Sequence, residues 1–63
     1  MKYFIEVNYS DGSSFSFEVT FPNAEDESDA ALMMIVRGTL MASGAHQAHC
    51  YNDEGFDVCA YIQ

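Results

Sequence analysis

Positive charge is scarce in this sequence. Lys2 and Arg37 stand against ten acidic residues, giving a formal net charge of −8 over 63 residues. Two cations cannot track a phosphate backbone, which all but excludes direct nucleic-acid binding and attachment to an anionic membrane surface. No apolar run approaches the ~20 residues of a membrane span. The amino terminus also lacks the basic-then-apolar pattern of a signal peptide, so the expectation is a cytoplasmic protein. There is no tryptophan and one proline, and the two cysteines, Cys50 and Cys59, could form one disulfide in an oxidising compartment, though nothing else points to secretion. No catalytic signature is present, and an enzyme is not expected.

What the chain does have is apolar content, with 49% of its residues hydrophobic. That is far more than a disordered acidic tail carries, so the chain should fold. Its length allows a single domain, 1–63. A domain of this size buries about 60% of the surface its unfolded chain exposes and reaches a stability of only ~3–5 kcal/mol.

Residues 2–9, KYFIEVNY, and 13–21, SSFSFEVTF, alternate in hydropathy around a short loop in which Gly12 can take the left-handed position. This predicts a hairpin. Tyr9 then faces Ser13, and Val7–Phe15, Ile5–Phe17 and Tyr3–Val19 pair on one side. Phe4, Glu6, Asn8, Ser14, Ser16 and Glu18 fall on the other. The carboxyl end repeats the device: HQAHCYN, DEG and FDVCAYI, with Gly55 in the place of Gly12. Asn52 then opposes Phe56. Ala48, Cys50, Val58, Ala60 and Ile62 share an apolar face, while His49, Tyr51, Asp57, Cys59 and Tyr61 share the opposite one. The two cysteines therefore point apart and are expected as free thiols.

Between the hairpins, Asn23 as cap and Gly44 as left-handed terminus bracket a helix over about 24–43. Glu25, Asp26, Glu27 and Asp29 would then lie at the positive end of its dipole. At 100° per residue, Ser28, Ala31, Leu32, Ile35, Val36, Thr39 and Ala42 form the expected core stripe. Met33 and Leu40 lie on its flank, and Ala30, Met34, Arg37 and Met41 on the back.

This ββαββ order in about sixty residues resembles the β-grasp arrangement of the immunoglobulin-binding domains of protein G and, more distantly, ubiquitin. The resemblance implies an α+β fold with one helix on a four-stranded sheet of order 2-1-4-3, its central strands parallel. An antiparallel order 2-1-3-4 is the alternative.

His49 lies across from Cys59, with Asp57 as a diagonal neighbour, an arrangement of nucleophile and base. Thiol catalysis also needs oxyanion donors and a pocket, which a flat sheet face does not offer. His46, His49, Cys50 and Cys59 are the residue types that hold zinc, but strand alternation divides them between two faces. At most two ligands then converge, and neither a metal nor another cofactor is expected.

The charged surface carries more information. Acids in a first helical turn favour the helix by ~0.3–1 kcal/mol each, which accounts for one or two of Glu25, Asp26, Glu27 and Asp29 better than for all of them. Asp53, Glu54, Asp57, Glu6 and Glu18 extend negative charge over several sides. Such a surface suits the Lys and Arg side chains of a basic nucleic-acid-binding protein or complex. On the open sheet face, order 2-1-4-3 would bring Phe4 near Cys59 and Tyr61, with Tyr51 one strand away. Aromatics rimmed by charge suit an interface or plain cross-strand packing equally well. Met34 and Met41, seven residues apart on the back of the helix, suit a docking stripe or a homodimer contact.

In size, acidity, single-domain economy and lack of catalytic residues, the chain resembles small phage-encoded inhibitors of host defence: anti-CRISPR proteins and other DNA-mimicking anti-restriction proteins. The likeness is one of character. It implies an inhibitor, acting in the host cytoplasm, whose carboxylates occupy a basic groove meant for nucleic acid. The alternative is a homodimeric β-grasp interaction module whose acidity serves only solubility.

Overall fold

The computed structural model describes residues 2–61. Strands β1 (Lys2–Asn8) and β2 (Ser14–Thr20) form the first hairpin, and β3 (Gln47–Tyr51) and β4 (Asp57–Tyr61) the second; helix α1 (Asp29–Ser43) runs between them. Gly12 and Gly55 take positive φ values of 91° and 94°, the left-handed backbone that both loops require. Side chains brace the loops. Asp11 accepts from the backbone N–H and hydroxyl of Ser13 at 2.9 and 2.6 Å, and these bonds hold its carboxyl below the usual range. Asn52 Oδ1 accepts from the backbone N–H groups of Glu54 and Phe56, both at 2.9 Å.

Both hairpin registers are those the sequence predicts. Ile5 pairs with Phe17, Val7 with Phe15 and Tyr3 with Val19 in the first, and His49 pairs with Cys59 in the second. Cys50 is buried and Cys59 exposed, and both are free thiols. Ile62, expected on the apolar face, lies outside the described residues.

The fold is α+β, and its sheet order is the antiparallel alternative, β2-β1-β3-β4. The β-grasp-like order 2-1-4-3, with parallel central strands, is not formed. Instead β1 pairs antiparallel with β3, Ile5 opposite Cys50 and Val7 opposite Ala48. Burial reflects this order: Ala48 and Cys50 of central β3 are fully buried, whereas Val58 and Ala60 of edge strand β4 are only partly so.

The helix begins later than expected. Ala24–Asp26 form a 3₁₀ turn, and Ser28, not Asn23, caps α1, its hydroxyl accepting from Ala31 N at 3.1 Å. The Asn23 side chain donates instead to Asp26 Oδ2 at 3.2 Å. Glu27 lies extended between the two elements, with φ −87° and ψ 115°, and accepts a hydrogen bond from the Tyr3 hydroxyl. Of the expected first-turn acids, only Asp29 occupies the first turn of α1.

The core joins Tyr3, Ile5 and Val7 of β1 to Leu32, Val36 and Leu40 of α1, closed by Ala45, Ala48 and Cys50. Full burial of an aliphatic side chain such as Ile5 or Leu32 contributes about 1.5–3 kcal/mol. Leu40, expected on a flank, is buried; Ser28 and Ala42, expected in the stripe, are exposed. The i, i+4 row drifts around a helix that crosses a twisted sheet, so the contact line ends on Leu40. At about 1.5 Å per residue, α1 is about as long as β1. It packs over β1, β3 and β4 and leaves the inward side of β2 partly bare, with Phe15 46% and Phe17 37% exposed. No helix among the described residues is long and apolar enough to cross a membrane.

Gly38 sits inside α1 on an exposed turn, and a Cβ added there meets nothing within 4 Å. Gly38→Ala is expected to raise unfolding free energy by ~0.5–1 kcal/mol in urea titrations with no change in slope. A loss of stability would mean that this glycine has a packing role.

Candidate functional site

The strand directions bring the acidic residues together. β1 starts where β2 ends, Lys2 opposite Thr20, and Phe4 is opposite Tyr51 at the end of β3. The connection 21–28, the start of α1 and the β3–β4 turn therefore lie at one end of the sheet. That end carries Glu25, Asp26, Glu27, Asp29, Asp53 and Glu54. Negative charge is thus more concentrated than the sequence suggests, where these residues look spread over several sides.

Tyr3 organises this acidic end. Its buried ring meets Phe21 edge-on at 6.1 Å from the connection and Phe56 at 5.4 Å from the β3–β4 turn. Its hydroxyl donates to the Glu27 carboxylate. That bond, helped by desolvation and by the charge of Glu27, pushes the Tyr3 hydroxyl up to about 12 from its ordinary 10.0. The same bond holds the Glu27 carboxyl below its usual range, against the opposing effect of desolvation. One aromatic residue thus anchors both acidic segments to the core. Nearby, Lys2 reaches Glu18 at 3.8 Å, both well exposed, so one of the two cations is already engaged and the pair adds little stability.

The sheet face turned away from α1 carries a second group. Phe4 stacks on Tyr51 at 5.5 Å, not on Cys59 and Tyr61, because β1 neighbours β3. Tyr51 in turn lies 4.9 Å from the His49 ring. His49 Nε2 and Asp57 Oδ1 are 2.6 Å apart, and Cys59 faces His49 across the β3–β4 pair. Ligand atoms of His49, Asp57 and Cys59 all lie within 4.8 Å of one another. Three potential ligands converge here rather than the expected two at most, because Asp57 joins the cross-strand pair diagonally. Glu6 opposes His49, and Tyr61, 64% exposed, opposes Gln47. His46 and Cys50 take no part. Burial, with a smaller contribution from Asp57, pushes the Cys50 thiol up and keeps it protonated.

On the helix side, Met34 and Met41 are 75% and 77% exposed, as the sequence predicts. Met41 borders an open groove of about 380 Å³ between α1 and the β4 edge, with Met33, Arg37, Leu40 and Tyr61 around it. What hydropathy periodicity misses is the exposed aromatic strip of β2, where Phe15 stacks on Phe17 at 6.2 Å and lies 6.2 Å from Tyr9. The available signal is helix width, since one helix cannot cover four strands.

Comparison with protein-family models, curated proteins and solved structures finds no match.

The Tyr3–Glu27 bond has a pH signature. Because the folded Tyr3 pKa is raised, its contribution is intact below pH 10 and is lost as pH rises through about 12. Because that of Glu27 is lowered, its contribution is present above the ordinary 4.5 and lost as pH falls through the depressed value. Tyr3→Phe is expected to be less stable than wild type at neutral pH, with the difference shrinking at both extremes in thermal melts. Equal stability at neutral pH would mean that the Tyr3–Glu27 bond contributes nothing and that the ring alone anchors this end.

Proposed function

We propose that this chain is an acidic protein-binding module that seats its carboxylate-rich end in the basic groove of a nucleic-acid-binding partner and keeps nucleic acid out. The mode suits an inhibitor of a host CRISPR or restriction complex working in the cytoplasm. The supporting observation is the gathering of Glu25, Asp26, Asp29, Asp53 and Glu54 around the Tyr3–Glu27 anchor. A charge cluster held on a packed base needs little reordering when it meets Lys and Arg side chains, which favours fast and salt-sensitive association. Glu6, Glu18 and Asp57 extend the field along the open face, and the Phe4, Tyr51 and Tyr61 rings supply apolar contact beside it.

Capture from bacterial lysate on the tagged chain is expected to retain a nucleic-acid-binding complex at low salt and release it at high salt or with duplex competitor. Reversing Glu25, Asp26 and Asp53 to Lys, with Glu27 left to hold Tyr3, is expected to weaken capture at least about tenfold. Capture that survives the reversal, or that ignores salt, would refute nucleic-acid mimicry.

A homodimeric interaction module is the second reading, and the β2 edge favours it. Tyr9 N donates to Ser13 O at 2.9 Å, so by alternation Phe15, Phe17 and Val19 bond to β1. The backbone groups of Ser14, Ser16, Glu18 and Thr20 then face outward. An antiparallel β2–β2 pairing centred on Phe17 sets Phe15 against Val19 of the second copy and Glu18 against its Ser16. No like charges meet, and the two acidic ends fall at opposite ends of the joined sheet. The strand has neither lysine nor proline to blunt its edge. Sedimentation is expected to detect a dimer that Phe17→Lys dissociates; a wild-type monomer up to ~1 mM would exclude this pairing. Met34→Glu and Met41→Glu, by contrast, would dissociate only a dimer built on the helix.

A further inference from the structure

On the open face, the three-ligand group at His49, Asp57 and Cys59 has a geometry that cross-strand packing alone does not require. The Asn52 N–H to Phe56 O bond of 3.1 Å closes the second hairpin. Alternation from it makes His49–Cys59 a non-hydrogen-bonded pair, the type in which side chains approach most closely. Asp57, two residues before Cys59, points from the same face and meets His49 Nε2 at 2.6 Å.

We propose that His49, Asp57 and Cys59 form a binding site for one zinc ion per chain, with a fourth position open to water or to a donor from a partner. Nitrogen, carboxylate oxygen and thiolate sulfur favour Zn²⁺ over the oxygen-seeking Mg²⁺ and Ca²⁺. His49 Nε2 and Asp57 Oδ1 already face one another, so both can turn toward one ion. Small side-chain rotations widen 2.6 Å to the roughly 3–3.5 Å separating two ligands that each sit ~2.0–2.2 Å from zinc. A thiolate and a carboxylate balance the ion's two charges, so the site carries no net charge when filled.

The surroundings supply independent support. Asn8 Nδ2 donates to Gln47 Oε1 at 2.6 Å and to Glu6 Oε1 at 3.3 Å. This fixes the Gln47 amide so that its Nε2 donates to Cys59 Sγ at 3.7 Å. The sulfur is thus held as an acceptor, the role of a ligating thiolate, by a partner outside the ligand set. Tyr51 flanks the His49 ring at 4.9 Å and limits its rotation. The chain's net charge of −8 raises the local concentration of divalent cations.

The test is titration of the reduced, metal-free chain with Co²⁺ alone, followed by displacement with Zn²⁺. Expected are a thiolate-to-cobalt charge-transfer band saturating at one ion per chain and its loss on adding zinc. The band should vanish in Cys59→Ser, and affinity should fall at least about tenfold in His49→Ala and Asp57→Asn. These side chains lie on the uncovered face, and far-UV circular dichroism verifies that each variant folds. In the wild-type chain, stoichiometric zinc is expected to slow iodoacetamide labelling of Cys59 at least about tenfold, while buried Cys50 stays unlabelled. Absence of the band, its survival in Cys59→Ser, or labelling unaffected by zinc would each overturn the proposal.

Discussion

The left-handed backbone at Gly12 and Gly55 is the constraint on which the other features rest. A glycine at the third loop position sets the parity of each hairpin, and parity decides which face every strand residue occupies. A slip of one residue in the first hairpin would expose Ile5 and Val7 and bury Glu6. A slip in the second would bring Cys50 and Cys59, now on opposite faces, to the same face. The core, the open-face aromatics and the His49–Asp57–Cys59 group are all consequences of two turn conformations that only glycine adopts without strain.

Tyr3 performs a different integration. Its ring joins two segments far apart in sequence, and its hydroxyl draws Glu27 out of helical geometry. The delayed start of α1 and the cap at Ser28 accompany that contact. A core of the size a domain this small can build supplies only about 3–5 kcal/mol, so like charges placed side by side call for a firm apolar base. Phe21, Tyr3 and Phe56 supply that base.

Turn chemistry and alternation made the hairpins, both registers, the opposed cysteines and the exposed Met34 and Met41 legible in the sequence. Sheet order was not, because 2-1-4-3 and 2-1-3-4 place the same residues on the same faces. They differ only in whether β3 or β4 adjoins β1. The small, fully buried Ala48 and Cys50 mark β3 as central, and their size is a weak signal in a hydropathy pattern. The helix start is ambiguous in the sequence because Asn23 and Ser28 are both good caps, and the Tyr3 contact to Glu27 between them spans 24 positions that no local pattern reports. The three-ligand group is half legible: register gives the His49–Cys59 pair, whereas the approach of Asp57 to His49 depends on side-chain rotamers that alternation does not set.

The seam between the two hairpins has a kinetic consequence. Each hairpin and the helix form from residues close in sequence, whereas β1 meets β3 only by closing a stretch such as the 39 positions from Asn8 to Gln47. Closing that stretch costs chain entropy before Ile5, Val7, Ala48 and Cys50 can begin to repay it. Among the strand pairings, β1–β3 therefore carries the largest loop-closure cost, and it brings the two local hairpins into one sheet.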